Sequence, residues 1–326
     1  MTGAPLPRIV VLDGHTLNPG DLSWETLAAL GSLEVHARTR PELLLERAEG
    51  AALLLTNKTP LDAAAIARLP GLRYIGVLAT GTNIVDRAAA RSRGIVVSNV
   101  PDYGADSVAE HTLALMLEAS KHVARHLAAA RDGAWSAQPD FSFSVGEIRL
   151  LAGRTLGVVG LGAIGRRVAE LARAFKMTVL AARREGDTRT PAPSAGLRWC
   201  TLDEMLGAAD FVSLHCPLSE QTERMINRER LARMKPGAVL INTARGALID
   251  EAALAAALRS GPVAAAYLDV LAVEPPPAAH PLLGLPNCWV TPHVAWASRE
   301  ARGRLMDIAV RNVRAFLAGT PQHVVS

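Results

Sequence analysis

Short apolar runs alternate with segments of helical spacing along nearly the whole chain, and this alternation restricts the possible folds more than any other feature. In the first part of the chain, the runs that predict strands are Arg8 to Leu12, Leu33 to Ala37, Ala52 to Thr56, Arg73 to Val77 and Ile95 to Ser98. The segments between them that predict helices include Pro41 to Ala48, Asp62 to Leu69 and Asn83 to Arg93. Strands that alternate with helices in this way form a parallel sheet covered by helices on both faces.

A second alternating series follows a long, Ala-rich helical segment from about Ala105 to Arg131, which predicts the junction between two domains. The strands predicted for this series are Thr155 to Val159, Thr178 to Ala182, Phe211 to Leu214, Ala238 to Asn242, Val263 to Leu268 and Cys288 to Val290. Thr201 to Glu204 has the pattern of a capping box, and Asp250 is placed as the N-cap of a further helix. The last helical pattern spans Ser298 to Ala318. Two α/β domains suit a chain of 326 residues, because domains typically contain about 100 to 200 residues.

The stretch from Asp132 to Gly146 lies between the two series and has no periodicity. It is rich in Gly, Ser, Pro and aromatic residues, among them Trp135, Phe141 and Phe143. We expect an irregular arm that either covers a second subunit or lies on the surface of its own chain.

Composition and charge exclude several classes of protein. No apolar run approaches the roughly 18 residues of a membrane span, and Met1 to Pro7 lacks the basic and apolar parts of a secretory signal, so a cytoplasmic protein is expected. The net charge is +4, but the arginines form no stripe interleaved with aromatic residues. Nucleic acid is therefore not expected as a partner, and anionic small molecules suit the charge better.

A glycine-rich loop, Gly160-Leu161-Gly162-Ala163-Ile164-Gly165, directly follows a predicted strand and opens a segment of helical spacing. In that context Gly160 permits a tight turn, Gly162 lets backbone amides approach a pyrophosphate, and Gly165 lets the helix pack closely on the strand. The helix N-terminus then faces the phosphates. We predict a dinucleotide site here rather than a glycine-rich turn without a ligand. The apolar residues that predict the helix are Ile164, Val168, Leu171, Ala172 and Phe175.

The end of the following strand indicates which dinucleotide is bound. An acidic residue about 20 residues after the glycine loop binds the adenosine ribose hydroxyls of NAD. This chain has Arg183 and Arg184 there, and two guanidinium groups suit a 2′-phosphate through bidentate hydrogen bonds. NADP is therefore favoured, and NAD stays possible if Glu185 or Asp187 serves the ribose.

Three polar side chains lie in loops that follow predicted strands of the second series: Arg245, Glu274 and His293. Ligands of open α/β sheets bind beyond the carboxyl ends of the strands. Hydride delivery to a keto carbon leaves alkoxide charge, so a proton donor is required, and a carboxylate substrate requires a fixed cation. We expect His293 to give the proton, Glu274 to hold its imidazole and favour the charged form, and Arg245 to bind the acid. Each residue alone also suits a structural role, as a surface ion pair, a solvated acid or a capping histidine.

The three cysteines, Cys200, Cys216 and Cys288, match neither a disulfide framework nor a zinc site, so reduced thiols and no metal are expected. A thiol enzyme would need Cys216 to be activated by His215, but adjacent side chains on a strand point to opposite faces. Cys216 is instead expected to form a small apolar wall beside the cofactor. The remaining histidines show no metal spacing, and a structural role is expected for each.

The chain resembles the D-isomer-specific 2-hydroxyacid dehydrogenases, and within them the glycerate dehydrogenase and hydroxypyruvate/glyoxylate reductase branch. The resemblance covers nearly the whole chain. It rests on Leu12 to Gly14, Leu17 to Gly20, Gly76 to Asp86, Ser107 to Thr112, the glycine loop, His215 to Leu218, Asn242 to Gly246 and Thr291 to Glu300. It implies two doubly wound parallel-sheet domains, with a Rossmann cofactor domain (104–293) inserted into a flavodoxin-like substrate domain (1–103 and 294–326). It also implies a homodimer built on the cofactor domain.

Residue roles follow from the same resemblance. Arg245, Glu274 and His293 match the catalytic positions of the family, and the backbone of Ala79, Thr80 and Gly81 matches the loop that holds the substrate carboxylate. The positions that match the lining of the cofactor site are Thr112, Ala163, Ile164, Pro217, Thr243 and Asp269. Ala244 and Ala295, which lie in the same strand-end loops as Arg245 and His293, are also expected there.

The chain departs from the family pattern at three places. Lys176 stands where a glycine is usual, and the arm around Phe141 to Gly146 lacks the usual aromatic pattern, so both leave the substrate preference open. Arg183 replaces the acid, and this departure supports NADP. The expected reaction is reduction of hydroxypyruvate or glyoxylate. A dehydrogenase of the same fold for phosphoglycerate, formate or phosphite is an alternative, as is a non-catalytic, dinucleotide-sensing module of the co-repressor type.

Overall fold

The chain divides into two compact units in the computed structural model, which describes residues 6–183 and 197–325. The first unit comprises Met1–Gly104 and Ala297–Ser326, and the second is Ala105–Trp296. The second unit is thus inserted into the sequence of the first. The predicted boundaries, after residues 103 and 293, lie one and three residues from those of the structure.

The first unit is built on a five-stranded parallel sheet with the order β2-β1-β3-β4-β5. This is the flavodoxin-like strand order. The strands are β1 (Arg8–Val11), β2 (Ser32–Val35), β3 (Leu53–Thr56), β4 (Tyr74–Val77) and β5 (Val96–Ser98). Both β3 and β4 are buried along their whole length, as expected for central strands of a parallel sheet covered on both faces.

Short helices cover this sheet, together with one long helix from the C-terminal segment. Asp62 and Asp86 start two of the short helices by accepting hydrogen bonds from backbone N–H groups three residues later. The long helix packs on β4, where the rings of Phe316 and Tyr74 lie 4.8 Å apart. The helices are α1 (Glu25–Ala28), α2 (Leu44–Ala48), α3 (Ala63–Ala67), α4 (Arg87–Ser92) and α11 (Arg299–Leu317).

The second unit has a seven-stranded parallel sheet with the order β12-β11-β10-β9-β6-β7-β8. Counted from β6, this is the Rossmann order extended by one strand. The strands are β6 (Thr155–Val159), β7 (Thr178–Ala182), β8 (Leu197–Cys200), β9 (Phe211–Leu214), β10 (Ala238–Asn242), β11 (Val263–Leu268) and β12 (Cys288–Val290). The helices are α5 (Ala105–Lys121), α6 (Val123–Arg131), α7 (Ala163–Ala174), α8 (Leu202–Ala208), α9 (Arg228–Ala232) and α10 (Glu251–Ser260).

The structure corrects the sequence prediction at several places in this unit. The segment predicted as one long helix is two, because His122 adopts a left-handed backbone conformation with φ of 51° between α5 and α6. Phe175, counted among the apolar residues that predict α7, is instead its C-cap and is 39% exposed. The sequence predicts neither β8 nor the short α9. The arm from Asp132 to Gly146 contains no helix or strand, as predicted.

Every helix within residues 6–183 and 197–325 is too short or too polar to cross a bilayer. Those residues likewise contain no group of three or more His, Cys, Asp or Glu side chains that could hold a metal ion.

Candidate active site

Polar loops follow five neighbouring strands of the seven-stranded sheet, namely β6, β9, β10, β11 and β12. All of these strands are parallel, so their carboxyl ends lie at one edge of the sheet. That edge is where doubly wound sheets bind their ligands. The glycine loop and the loops that carry Arg245, Glu274 and His293 are therefore all brought to one side of the unit.

The glycine loop has the shape of a pyrophosphate cradle. Gly160 has φ of 96°, and a Cβ there would lie 2.7 Å from the Cys216 backbone nitrogen. A Cβ at Gly165 would lie 2.0 Å from the Gly160 carbonyl oxygen. The chain itself therefore requires glycine at both positions.

Gly162 differs because, its own chain neighbours apart, no atom of the described residues lies within 4 Å of its hypothetical Cβ. This residue is the N-cap of α7, and no side chain caps that helix. The free amides of a helix N-terminus together with a bare glycine form a site that suits phosphate oxygens. The residues present thus fit a dinucleotide, whose pyrophosphate is predicted to lie over Gly162 and the first turn of α7, where Ala163 and Ile164 lie.

Arg183 directly follows β7, at the position expected to recognise the adenosine end of the dinucleotide. Its side chain is exposed, and its backbone N–H donates to the Cys200 carbonyl oxygen at 2.9 Å. Arg184 lies outside the described residues, as do Glu185 and Asp187. The 2′-phosphate site therefore stays a prediction.

His293 and Glu274 form a close pair. The Nδ1 atom of His293 lies 2.6 Å from Oε2 of Glu274, and both side chains are partly exposed. The other carboxylate oxygen of Glu274 accepts a hydrogen bond from the Leu271 backbone N–H at 3.1 Å. The carboxylate is therefore held at both oxygens. The Nε2 atom of the imidazole takes no part in the contact with Glu274.

Asp269, which follows β11, fixes the backbone that presents His293. Its carboxylate is 1% exposed and accepts the Val294 and Ala295 backbone N–H groups at 2.9 and 2.8 Å, and the Thr291 hydroxyl at 2.5 Å. The backbone N–H of His293 also donates to the Asp269 carbonyl oxygen at 2.9 Å. His293 adopts φ of 54°, a conformation unusual for residues other than glycine. The surrounding hydrogen bonds hold it there.

Asp269 was predicted to line the cofactor, but the structure gives its carboxylate a supporting role. Both carboxylate oxygens accept hydrogen bonds within the second unit, and Nε2 of His111 lies 3.6 Å from Oδ1. Ala295 is also buried. His111 thus has the structural role expected of it. Any contact of Asp269 or Ala295 with a cofactor stays a prediction.

The loop after β10 presents Arg245 on the same sheet edge. Asn242 shapes this loop, because its side chain accepts the Ala244 N–H at 3.0 Å and donates to the Arg245 carbonyl oxygen at 2.8 Å. The Arg245 guanidinium is exposed and donates to the Ala244 carbonyl oxygen at 2.6 Å. Thr243 in this loop and Thr112 on α5 are both buried, and their hydroxyl oxygens lie 3.1 Å apart.

A third carboxylate, Glu251, connects the Arg245 loop to the Glu274 loop, and sequence reasoning missed it. Glu251 begins α10, and its Oε1 atom accepts the Ala272 backbone N–H at 2.8 Å. Its Oε2 atom lies 3.2 Å from Nε2 of His280, a buried residue of the same loop. Gly246 leaves room for this arrangement, since its Cβ would lie 1.9 Å from the Leu271 carbonyl carbon. In the sequence, Glu251 is only a glutamate that follows an N-cap residue, and that pattern does not predict this role.

The structure argues against a thiol mechanism. The Cys216 Sγ atom lies 3.7 Å from the Met225 Sδ atom and packs with the apolar core, whereas the His215 ring lies 2.8 Å from the Ser213 hydroxyl. Burial lowers the pKa of His215 to about 4. All three cysteines are free thiols, as expected. Pro217 is exposed beside Cys216.

The predicted carboxylate loop, Ala79 to Gly81, belongs to the first unit and follows β4. Its backbone is held by the neighbouring strand-end segment: the Val100 N–H donates to the Ala79 carbonyl oxygen at 3.0 Å, and the Thr80 hydroxyl donates to the Val100 carbonyl oxygen at 2.9 Å. The Asn99 side chain donates to the Thr80 carbonyl oxygen at 2.8 Å. This loop is thus well supported, and its role in binding substrate stays a prediction.

Comparison with known proteins identifies the family. Residues 113–295 match the family model described as D-isomer specific 2-hydroxyacid dehydrogenase, NAD binding domain. The chain is 44% identical over 323 residues to a hydroxypyruvate reductase of Blautia hydrogenotrophica, and the alignment covers 98% of this chain and 99% of that relative. It is also 42% identical over 294 residues to a glycerate dehydrogenase of Methylorubrum extorquens, and that alignment covers 90% of this chain and 91% of the relative. The chain belongs to the D-isomer specific 2-hydroxyacid dehydrogenase family.

This dehydrogenase also resembles solved structures over its whole length. An acyclic imino acid reductase in complex with NADPH and D-Arg aligns with a TM-score of 0.83 at 30% identity, covering 98% of this chain and 100% of that chain. The predictions of fold and family are therefore confirmed. The protein is an oxidoreductase that uses a nicotinamide dinucleotide and acts on a small 2-oxo or 2-hydroxy acid.

Proposed function

We propose that this dehydrogenase reduces hydroxypyruvate and glyoxylate with NADPH, and that Arg245, Glu274 and His293 carry the chemistry. The observation that carries the proposal is the 2.6 Å contact between His293 Nδ1 and Glu274 Oε2 on the sheet edge that also bears the glycine loop. The names of the two relatives, a hydroxypyruvate reductase and a glycerate dehydrogenase, support the choice of substrate.

The Glu274–His293 pair is suited to proton transfer. The Nδ1–H group of His293 donates a hydrogen bond to the Glu274 carboxylate, which fixes the orientation of the ring and leaves Nε2 for proton transfer. The nicotinamide, when bound, supplies a hydride to the keto carbon. His293 then gives its Nε2 proton to the oxygen that gains negative charge, and takes it back in the direction of oxidation.

Arg245 is the cation of this proposal. Its guanidinium has one hydrogen bond to the Ala244 carbonyl oxygen, which leaves further N–H donors of the planar fork for a carboxylate and a keto oxygen. The acid is thereby oriented, and the charge that develops on its keto oxygen is stabilised.

Initial rates test the reaction directly. Glyoxylate, hydroxypyruvate and pyruvate are each assayed with NADH and with NADPH. We expect the highest kcat/KM with hydroxypyruvate or glyoxylate together with NADPH. Absence of turnover with every pair would contradict the proposal and favour a dinucleotide-sensing module instead, and a preference for pyruvate would contradict the substrate.

The preference for NADP rests on Arg183. Arg183→Asp replaces a cation with a carboxylate at the end of β7, so it repels a 2′-phosphate and can accept hydrogen bonds from ribose hydroxyls. We expect the ratio of kcat/KM for NADPH over NADH to fall by at least about tenfold, the scale of one charge-assisted contact. Arg173→Asp, at an exposed arginine in the last turn of α7, is the matched control. An unchanged ratio in the Arg183 variant would remove this part of the proposal.

A homodimer built on the second unit is also part of the proposal. Large apolar side chains are exposed along α6 and the residues that follow it, and exposed apolar surface of this kind marks protein interfaces. They are Val123, Leu127, Trp135, Phe141, Ile148 and Leu150.

A further inference from the structure

A cleft in the first unit lies at the carboxyl ends of the five-stranded sheet, and the proposed reaction does not use it. Its volume is about 600 Å³, within the range of about 300–1,000 Å³ typical of small-molecule sites. Asp13 after β1, Arg38 after β2 and Lys58 after β3 line it, together with residues of α2 and α3. The described residues that line this cleft include neither the Ala79 to Gly81 loop nor any residue of the second unit.

The position of the cleft in the sheet is one where ligands bind. β1 lies between β2 and β3, so the chain leaves β1 towards one side of the sheet and leaves β3 towards the other. The divergence of the two connections opens a crevice at the carboxyl ends of β1 and β3, which is the usual ligand site of this strand order. Residues from both strand ends line the cleft here.

The cations of the cleft have no acidic partners. Arg38, Lys58 and Arg68 are exposed, and within residues 6–183 and 197–325 none of the three forms an ion pair. The cleft therefore offers three positive charges to a ligand.

The two acids of the cleft are already engaged. The Asp13 carboxylate accepts three backbone N–H groups, from Asn57 at 2.7 Å, Lys58 at 2.6 Å and Thr59 at 2.8 Å. The Asp62 carboxylate caps α3 by accepting the Ala65 N–H at 2.8 Å. Because both carboxylates serve the backbone, they compete weakly for the cations, and the balance of available charge in the cleft favours an anion.

The walls between these charges are apolar. One wall is formed by α2 and the segment before it, and the other by α3 and the segment before it. The apolar residues of these walls are Pro41, Leu44, Leu45, Pro60, Ala64 and Ala65. A purely inorganic anion would leave this surface uncovered, whereas an organic anion covers it and gains the free energy of apolar burial.

We propose that this cleft is a second small-molecule site, which binds an organic anion composed of an apolar body and a phosphate or carboxylate head group. The apolar body lies on the walls from α2 and α3, and Arg38, Lys58 and Arg68 pair with the head group. The ligand is neither the dinucleotide nor the acid that is reduced, because the residues assigned to those two do not line the cleft.

Titration calorimetry of the full-length protein saturated with NADP⁺ tests the proposal, with phenyl phosphate, benzoate and benzyl alcohol as probes. We expect phenyl phosphate or benzoate to bind, and the tighter of the two identifies the head group. Benzyl alcohol, which has the ring without the charge, is expected to bind at least about tenfold more weakly, the scale of one charge-assisted contact. Binding of neither anion, or equal binding of the alcohol, overturns the proposal.

Variants locate the probe. Arg38→Gln combined with Arg68→Gln is expected to weaken the tighter probe by at least about tenfold, and Ala64→Trp, at an exposed position of α3, to abolish binding by filling the cleft. The matched control replaces Arg73 and Arg91, exposed arginines of the same unit, by Gln and leaves binding unchanged. All these variants keep the wild-type rate of hydroxypyruvate reduction. Unchanged binding in both cleft variants, or loss of binding in Arg245→Ala, places the probe elsewhere and overturns the proposal.

Discussion

Three carboxylates of the second unit hold the two loops that follow β11 and β12. Asp269 accepts the backbone N–H groups that follow His293, Glu274 accepts that of Leu271, and Glu251 accepts that of Ala272. An unpaired buried N–H costs about 1–3 kcal/mol, so the hydrogen bonds to the N–H groups of the buried residues Leu271 and Ala295 favour one conformation of each loop. The geometry of the His293–Glu274 pair therefore depends on side chains that never touch a substrate.

The proposed roles of Arg245 and His293 predict large kinetic effects. Arg245→Ala and His293→Ala are each expected to lower kcat/KM for hydroxypyruvate by at least about a hundredfold, the scale of losing charge stabilisation or acid catalysis. Arg259→Ala, an exposed arginine of α10, is the control and keeps the wild-type rate. Steady-state rates at several pH values provide the measurement, and near-normal kcat/KM in either site variant would refute the assigned role.

Glu251 is predicted to act as a positioning residue. Glu251→Leu removes the acceptor of the Ala272 N–H and the partner of His280, so the loop that carries Glu274 loosens. We expect kcat to fall about tenfold, or about 1.4 kcal/mol, with little change in the KM for NADPH, whereas Glu251→Gln keeps an acceptor and recovers most of kcat. A merely structural defect would instead lower both the fraction of active protein and its melting temperature. Wild-type kcat in the Leu variant would exclude the role.

His215 predicts a pH dependence of stability. Burial lowers its folded-state pKa to about 4, below the value of about 6.5 in an unfolded chain. Above pH 6.5 the ring is neutral in both states; as the pH falls towards 4, the unfolded chain binds a proton that the folded chain does not, and stability is lost. After allowance for partial exposure we expect a loss of about 2 kcal/mol. Urea unfolding at pH 7 and 4.5 measures it, and His215→Asn should lose correspondingly less. An equal loss in the variant would show that other groups cause it.

At the scale of elements, hydrophobic periodicity predicted the strands well because a buried parallel strand is a short apolar run. Ten of these strands agree with the prediction to within one residue at each end, whereas β2 begins one residue and ends two residues earlier than predicted. The missed β8 reads Leu197-Arg198-Trp199-Cys200, an edge strand whose mixed composition gives no alternation. The break at His122 was missed because its cause is a backbone conformation rather than a change in hydrophobicity.

The candidate site was predictable in part for the same reason. Arg245, Glu274 and His293 were found because they follow predicted strands, and strand ends meet at one edge of a sheet. Glu251 and the supporting role of Asp269 depend on hydrogen bonds to distant backbone groups, which no local pattern encodes. Sequence reasoning therefore identified the residues proposed to carry the chemistry and missed the hydrogen bonds that hold their loops.

Lys176 connects α7 to β7 and predicts a gain in stability. It adopts φ of 59°, where a Cβ is strained and glycine is not. After subtraction of the extra freedom that glycine has in the unfolded chain, Lys176→Gly is expected to stabilise the fold by about 0.5–1 kcal/mol. Lys176→Ala, which keeps the Cβ and removes the amine, is the control and should bring no gain. Calorimetric melting compares the three proteins, and a lower melting temperature for the Gly variant than for the wild type would contradict the argument.

At the scale of the whole molecule, the exposed apolar residues are concentrated between Val123 and Leu150. Phe141 is 91% exposed and Leu127 is 63% exposed. The arm is nevertheless held in place: the Val145 N–H donates to His126 Nε2 at 2.9 Å, and the Trp135 indole N–H donates to the Phe141 carbonyl oxygen at 3.0 Å. An ordered segment that presents such side chains to water is costly unless a partner covers it.

A second copy of the chain is the partner that the proposed homodimer requires, and its interface can be tested by charge. Leu127→Asp combined with Phe141→Asp places carboxylates in a surface that becomes apolar and dry on association, so the dimer should dissociate while each protomer stays folded. Sedimentation velocity should give twice the chain mass for the wild type and the single chain mass for the variant. Leu6→Asp, at an exposed leucine of the first unit, should leave the dimer intact. A wild-type monomer would remove the homodimer from the proposal, and a variant that remains dimeric would move the interface away from α6 and the arm.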